Sequence, residues 1–228
     1  MLYRYETHCH SSLCSRCAHA SPEELVHAYH QKGFAGLVLT DHFIHGNTCV
    51  PAALPWEQRM QRYYDAYLAA QAAAKALDFD VLFGIEHAYG GGLEVLCYGI
   101  DLDFLLDHPD IADLSIETFS NRVRSYGGLV IQAHPYRYGG TEIRLPMDAL
   151  DGIEVYNAGN TPEKNQMARE LVKGTTLIPT SGSDLHHITE PKLGTAGITL
   201  PYRVRTGMEL VRALKRQDHE LILPCPIQ

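Results

Sequence analysis

Residues 81–86 read Val-Leu-Phe-Gly-Ile-Glu, an apolar run that ends on a carboxylate. A continuous apolar run without polar alternation is typical of a strand buried on both faces of a parallel sheet. Burial of a carboxylate such as Glu86 is costly unless the group is paired or bound to a metal ion. The stretch therefore predicts a buried strand with a functional side chain at its carboxyl end.

The rest of the chain alternates predicted strands with predicted helices. The other strands are predicted at residues 3–7, 36–40, 94–100, 129–133, 152–156, 177–180 and 195–200. Helices are predicted to begin at Ser21, Trp56, Ser115, Thr161 and Thr206. This alternation predicts an α/β fold with a parallel sheet, either open or closed into a barrel. Residues 90–92, Gly-Gly-Gly, lie between two strands with no helix and predict a hairpin or a loop.

Side chains of the metal-ligand type follow the carboxyl ends of five predicted strands. They are His8, His10, Asp41, His42, Glu86, His134, Asp184 and His186. In a β/α barrel these ends converge on one face, where active sites lie, whereas an open sheet spreads them along an edge. The recurrence therefore favours a barrel, distorted or shortened, with a metal site at the C-terminal ends of its strands.

Imidazoles and carboxylates in this number predict a cluster of metal ions. His8 and His10 are two residues apart, so in an extended segment they share a face and Cys9 points away. Neutral imidazoles with carboxylates suit Zn²⁺, Mn²⁺ or Fe²⁺. The ligands exceed the needs of one tetrahedral ion, so we expect two or three ions with Glu86 as a bridge. Each motif alone is weak, because paired surface histidines and Asp-His pairs in loops are common.

The motifs occur in the order HCH (8–10), TDH (40–42), Glu86, AHP (133–135) and SDLH (183–186). This ordered set resembles the PHP (polymerase and histidinol phosphatase) superfamily. The resemblance implies one PHP domain over residues 1–228, built as a distorted (β/α)7-type barrel. It also implies a cluster of two or three divalent ions that activates water to hydrolyse phosphate esters.

The resemblance also implies which residues bind each ion. The ligands of a first ion would be His8, His10, Glu86 and Asp184. A second ion would be held by Glu86 and His134, and a third by His42 and His186.

The sequence departs from the family pattern at two places. Many members have a histidine on the strand after the bridging Glu, where this chain reads Val-Leu-Cys-Tyr at 95–98. Cys97 is a candidate substitute, although a buried apolar role is the more common use of such a cysteine. The loop after HCH usually offers an Asp or His to the third ion, and here His19 is the candidate. Cys14 and Cys17 form a single CxxC, which can be redox-active or half of a zinc site, but two ordinary loop cysteines are favoured.

Arg137 and Asp41 are the predicted catalytic residues. Arg137 follows His134 by three residues, and a guanidinium there could grip phosphate through two hydrogen bonds. The alternative is a surface arginine, and Arg16 is a second candidate for the phosphate contact.

The amino-acid composition limits the cellular compartment and the binding partners that we expect for the protein. The 228 residues contain 27 acidic and 19 basic side chains, and the net charge of −8 opposes broad nucleic-acid binding. No apolar run approaches the roughly 18 residues of a membrane span, and residues 1–7 lack a signal-peptide core. Six cysteines without a secretory signal predict a cytoplasmic protein. We therefore expect a small phosphorylated substrate, no membrane, and nucleic acid only as a nucleotide or short oligonucleotide.

Two other functions remain open at this point. Metal-dependent amidohydrolases also begin with HxH, but they usually carry a lysine after a central strand, and no lysine here ends a predicted strand beside the histidines. A non-catalytic metal-binding PHP module is the other alternative.

Overall fold

A computed structural model describes residues 2–139 and 145–224, and nine strands and six α-helices lie in these ranges. The strands are β1 (Tyr3–Cys9), β2 (Gly36–Leu39), β3 (Asp80–Ala88), β4 (Glu94–Tyr98), β5 (Leu129–Gln132), β6 (Gly152–Asn157), β7 (Ile178–Gly182), β8 (Gly197–Leu200) and β9 (Glu220–Ile222). The helices are α1 (Pro22–Gln31), α2 (Trp56–Ala74), α3 (Leu102–Asp107), α4 (Ile116–Tyr126), α5 (Pro162–Leu171) and α6 (Gly207–Arg216). None of these helices is both long and apolar enough to span a lipid bilayer.

The strands form one sheet in the order β7-β6-β5-β4-β3-β2-β1-β8-β9. The sheet curls until β7 reaches β1 again. The Asp184 N–H donates to the His8 carbonyl at 2.8 Å, and the His10 N–H donates to the Leu185 carbonyl at 3.0 Å. These two hydrogen bonds form a seam that nearly closes the barrel, as the distorted-barrel prediction requires.

The sheet is mixed rather than parallel throughout. Strand β4 is antiparallel to both β3 and β5, and β8 and β9 add an antiparallel pair beside β1. The expectation of a fully parallel sheet was therefore wrong at these strands. Residues 89–93 alone connect β3 to β4, and a parallel pair needs a crossover of about a dozen residues or more. The hairpin predicted at the three glycines is confirmed.

Two apolar clusters hold the barrel together. The inner cluster joins inward-facing strand residues such as Tyr5, Val38 and Leu82 to the apolar face of α6. The outer cluster packs α1, α2 and α4 against the other face of the sheet. Tyr5 and Leu82 precede His8 and Glu86 on the same strands, so the inner cluster fills the barrel below the strand ends that carry the polar side chains.

A bulge in β1 turns its histidines inward. The register of β1 against β2 shifts between Glu6 and Cys9. The Glu6 carboxylate stabilises the bulge by accepting hydrogen bonds from the N–H groups of Thr7, His8 and Ser183, all at 2.9 to 3.0 Å. It also accepts one from the Tyr29 hydroxyl at 2.7 Å. Cys9 joins the outer cluster, as predicted.

Glu6 should therefore stabilise the fold because its oxygen accepts hydrogen bonds, and its negative charge should matter little. Glu6→Gln keeps one carbonyl oxygen for the three backbone donors, and we expect it to lower the free energy of unfolding by less than about 1 kcal/mol. Glu6→Leu leaves three buried N–H groups without acceptors, which cost roughly 1–3 kcal/mol each. Urea unfolding of both variants measures the difference, and equal losses would contradict this role.

Candidate metal centre

The carboxyl ends of the strands bring seven of the predicted ligands into one cluster. The cluster contains four groups of side chains that could each hold an ion: His8, His10 and Asp184; His8, Glu86 and His134; His42, Glu86 and Glu94; and His10, His42 and His186. Within each group the ligand atoms all lie within 4.8 Å of one another. The groups share members, which is the arrangement expected of a multinuclear centre.

Glu86 lies at the middle of the cluster and is almost fully buried. One carboxylate oxygen lies 3.1 Å from His8 Nε2 and 3.0 Å from His134 Nε2. The other lies 2.7 Å from His42 Nδ1. Burial opposes ionisation of Glu86, but His8, His134 and His42 outweigh it and hold the pKa of the carboxyl well below its usual value. An ionised carboxylate whose two oxygens face different imidazoles is suited to bridge two ions.

His8 and His10 present their Nε2 atoms to each other at 3.1 Å. The Nδ1 atom of His8 faces Glu154 at 3.0 Å, and the Nδ1 atom of His10 faces the Ser15 hydroxyl at 3.3 Å. Both Nδ1 atoms therefore have oxygen partners, which leaves the Nε2 lone pairs directed at one point. Only positive charge between them, a proton or an ion, makes this contact favourable.

Asp184 completes this first group. Its Oδ1 atom lies 3.0 Å from His10 Nε2 and 3.5 Å from His8 Nε2. Ligands bound at about 2.1 Å to a tetrahedral ion stand about 3.4 Å apart, so the three atoms have the spacing of a metal site. Burial, together with the charge of His42, lowers the pKa of His10 well below its usual value. The resulting neutral imidazole is the form that binds a metal.

Glu94 is a further candidate ligand that sequence reasoning missed. Its carboxylate lies 3.3 Å from His134 Nε2, where the family pattern places a histidine ligand. Leu96 pairs with Glu86 across the sheet and faces the centre, and Glu94 lies two residues away on the same face. Cys97 points into the outer cluster, in the buried apolar role that the sequence favoured over a ligand role. The two-residue periodicity of β4 was the signal that could have identified Glu94.

Burial and the neighbouring charge of Glu86 raise the pKa of Glu94. Glu86, Glu94 and Asp184 thus place three carboxylates around the centre. Among the described residues, Arg137 is the guanidinium that pairs with one of them, Asp184. A cluster of buried carboxylates of this kind is stable when cations compensate its charge.

A third group of imidazoles lies at the mouth of the site. The ring centroid of His10 is 4.2 Å from that of His42 and 4.4 Å from that of His186. His19, the candidate from the sequence, lies outside this group: its N–H donates to the His186 carbonyl at 2.8 Å, and its ring packs against His187.

Cys17 lies in the same loop as His19 and is half-buried. The imidazoles of His186 and His42 are the groups that act most strongly on the ionisation of this thiol. Burial opposes ionisation, but these two imidazoles lower the pKa of Cys17 to about 6. The CxxC motif marked this cysteine in the sequence without indicating its partners.

Asp41, predicted as catalytic, directs its carboxylate at the loop after β1. It accepts hydrogen bonds from the Ser11 N–H at 2.6 Å and from the hydroxyls of Ser11 and Ser15, each at 2.7 Å. The Ser15 hydroxyl in turn accepts from the His42 N–H at 3.0 Å and contacts His10 Nδ1. These contacts favour a positioning role for Asp41, exerted through Ser15 on His10 and His42.

Arg137 lies in the site, with its side chain largely buried. Its guanidinium pairs with Asp184 and hydrogen-bonds to the side-chain oxygens of Asn157 and Asn160. Burial lowers the pKa of Arg137, but the neighbouring Asp184 raises it by more, so the guanidinium is charged. Arg16 instead lies exposed and donates to the Thr48 carbonyl.

The turn between His134 and Arg137 is strained. His134 and Tyr136 have φ angles of 24° and 70°, in the left-handed region that residues with a side chain rarely adopt. Strain of this kind costs about 1–3 kcal/mol per residue and persists where function requires it. Here it allows a ligand and a guanidinium three residues apart to face the same centre.

Comparison with known proteins identifies the fold. A family model described as the PHP domain matches residues 6–173. No curated protein sequence matches the chain.

Three solved structures illustrate the likeness. A two-domain protein from Bacteroides vulgatus, which contains a predicted PHP-like metal-dependent phosphoesterase, is 14% identical with a TM-score of 0.70, covering 98% of this chain and 65% of that one. An amidohydrolase from Chromobacterium violaceum, with bound sulfate and no metal, is 16% identical with a TM-score of 0.62, covering 92% and 96%. The lesion-specific endonuclease Q from Pyrococcus furiosus is 12% identical with a TM-score of 0.66, covering 97% and 58%. The chain thus spans less than two thirds of the first and third proteins, and the likeness concerns the fold.

The contacts of Glu94 lead to a prediction about metal content. Glu94→Gln should lower the number of bound ions by one, because an amide oxygen is a weaker ligand than a carboxylate, while the remaining groups stay intact. Cys97→Ala should leave the metal content unchanged, since the thiol faces the outer cluster. Elemental analysis of the dialysed proteins tests both, and the opposite pattern would restore Cys97 as the ligand.

Proposed function

The chain belongs to the PHP-domain family, and from this premise we propose that it is a metal-dependent phosphoesterase acting on a small phosphorylated substrate. The observation that carries the proposal is the position of Glu86, whose two oxygens lie 2.7 to 3.1 Å from three different imidazoles. A single structural ion needs no such shared carboxylate. Bridging carboxylates are the ligands by which paired ions are held close together.

Three ion positions fit the side chains. The residues proposed for the first are His8, His10, Asp184 and Glu86; for the second, Glu86, His134 and Glu94; and for the third, His42 and His186. Imidazole and carboxylate ligands suit Zn²⁺, Mn²⁺ or Fe²⁺. When bound, such ions activate water and stabilise negative charge on phosphoryl oxygens.

The residues around the proposed ligands orient the histidines and leave hydrogen-bond donors free for the substrate. Glu154 accepts from the Nδ1 side of His8 and from the His134 N–H at 2.8 Å, so one carboxylate orients two ligands. Partners of this kind fix the tautomer and direction of a histidine ligand. Arg137 uses three of its roughly five N–H donors on Asp184, Asn157 and Asn160. Two N–H groups remain for phosphoryl oxygens.

Two alternatives bear on the substrate. The amidohydrolase from Chromobacterium violaceum resembles the chain over most of both lengths, but no strand in the described residues ends on a lysine beside the histidines, as that class usually requires. Endonuclease Q acts on DNA, which favours including nucleic acid among the substrates tested. The net charge of −8 restricts our proposal to a nucleotide or short oligonucleotide.

Metal content and turnover together test the proposed function. We expect purified protein to hold two or more ions and to release phosphate from esters, and Glu86→Gln to lower both occupancy and rate. Glu23→Gln, on the exposed side of α1, is the matched control. A panel of phosphomonoesters, phosphodiesters and N-acyl amides discriminates the candidates. A fully loaded protein that cleaves only amides, or no substrate in the panel, would sink the phosphoesterase proposal.

Arg137 is predicted to bind the phosphoryl group of the substrate. Charge-assisted contacts are worth about 1.5–3 kcal/mol, so Arg137→Ala should lower kcat/KM roughly 10- to 150-fold. Arg137→Lys should recover part of the loss, because lysine supplies the charge without the planar fork. Arg16→Ala serves as the control and should change nothing. Unaltered phosphate-ester kinetics in Arg137→Ala would mean that the guanidinium serves only Asp184.

A further inference from the structure

We propose that the end of β6 and the loop after it form a cradle that positions the guanidinium of Arg137 at the metal centre. The cradle consists of Asn157, the last residue of β6, with Gly159 and Asn160 in the loop that follows. The inference rests on the proposed function for the role of Arg137 in binding phosphate. Because the three residues act through Arg137, they are positioning residues.

Two side-chain oxygens of the cradle hold two corners of the guanidinium. Oδ1 of Asn160 accepts from Nε of Arg137 at 3.1 Å, and Oδ1 of Asn157 accepts from Nη2. The third corner, Nη1, donates to Asp184. Each nitrogen of the guanidinium thus has an acceptor of its own. Because the group is planar and rigid, three acceptors fix both its place and its direction.

The absence of a side chain at Gly159 makes room for the guanidinium. A Cβ atom at this position would lie 2.8 Å from Nη2 of Arg137 and 3.1 Å from Oδ1 of Asn157. The first distance is well inside the normal contact between non-bonded heavy atoms. The φ angle of Gly159 lies outside the left-handed region, so the backbone alone would accept alanine. The neighbouring guanidinium is therefore what requires glycine here.

The same segment holds the backbone of the strained turn between His134 and Arg137. Nζ of Lys164, in the first turn of α5, donates to the Arg137 carbonyl at 2.6 Å. Nδ2 of Asn160 donates to the Pro135 carbonyl at 3.4 Å. Backbone strain persists where the surrounding structure over-determines it. The contacts from this segment therefore help to keep the ligand and the guanidinium directed at the same centre.

The amide of Asn157 links the cradle to the orientation of the proposed metal ligands. Its Oδ1 atom accepts from Arg137 and from the Gly159 N–H, the latter at 2.8 Å. Its Nδ2 atom donates to Glu154 at 2.7 Å, and Glu154 in turn faces Nδ1 of His8. An amide supplies an acceptor on one side and a donor on the other, which a carboxylate cannot do.

A double-mutant cycle tests the cradle through Gly159. Gly159→Ala should lower kcat/KM for the best phosphate ester roughly tenfold, because its methyl group displaces the guanidinium, while the metal content stays at the parent level. In the Arg137→Ala background the same substitution should have no further effect, since the guanidinium is then absent. Equal losses in both backgrounds would show that Gly159 serves the fold alone and would overturn the cradle.

Guanidinium ion probes the cradle without any catalysis. Metal-loaded Arg137→Ala keeps the acceptors of Asn157, Asn160 and Asp184, so calorimetry should record saturable binding of guanidinium at concentrations far below those that unfold proteins. Arg137→Ala/Gly159→Ala should not bind it, because the methyl group fills the space. The parent protein, with its own guanidinium in place, is the control. Binding by both variants or by neither would contradict the proposal.

Asn157→Asp tests the link to Glu154. Aspartate keeps an acceptor for Arg137 but places a second carboxylate against Glu154, so we expect fewer bound ions as well as a lower rate. Asn121→Asp adds the same charge at an exposed position of α4 and should change neither. Full metal content in Asn157→Asp would contradict the link between the cradle and the metal ligands.

The outcomes separate the cradle from the proposed function. Guanidinium binding that depends on Gly159, in a protein that cleaves no phosphate ester, supports the cradle and rejects the phosphoesterase. An active phosphoesterase in which Gly159→Ala costs the same with and without Arg137 keeps its activity assignment and rejects the cradle.

Discussion

The buried negative charge at the carboxyl ends of the strands is the constraint on which this structure depends. Glu86 and Asp184 are almost fully buried, Glu94 is largely buried, and all three face imidazoles of the same cluster. Carboxylates in such surroundings are stable only with cations beside them. Five imidazoles and one guanidinium converge on these carboxylates and compensate part of their negative charge. Bound metal ions would supply the remaining positive charge.

A surrounding layer of polar side chains holds the ligands in place. Glu154 and Ser15 contact the ligands or their backbone, Asp41 holds Ser15, and Glu6 stabilises the bulge that turns β1 inward. Each of these groups has more than one partner, so each fixes several ligands at once. The geometry of the centre is therefore a property of the whole upper barrel rather than of the metal-binding side chains alone.

The sequence predicted the parts of the site that depend on strand order. Each ligand at a strand end was recognisable because an apolar run stopped on a His, Asp or Glu, and the barrel brings such ends together. Glu94 was missed because it begins β4, which runs antiparallel to β3. The amino end of β4, rather than its carboxyl end, therefore faces the centre. Residue type alone did not reveal that reversal.

The placement of His19 and Cys17 could not be predicted from the sequence for a different reason. Both lie in a loop without regular structure, whose path is set by contacts with residues 47 and 186. Partners so distant along the chain cannot be read from local patterns. The direction of β8 was mispredicted and β9 was not predicted for the same reason, since β8 pairs with β1 at the other end of the chain and β9 pairs with β8.

The seam between β1 and β7 links the metal centre to the closure of the barrel. The backbone hydrogen bonds that close the barrel involve the amides and carbonyls of His8, His10 and Asp184, whose side chains form the first ligand group. An ion held by that group would join β1 to the segment that follows β7 from inside the barrel, beside the backbone hydrogen bonds that already connect them. Metal affinity and barrel closure are then one linked equilibrium, in which binding energy is also folding energy. Loss of the ion should therefore weaken the barrel at the seam between β1 and β7, while the strands on the opposite side keep their pairing.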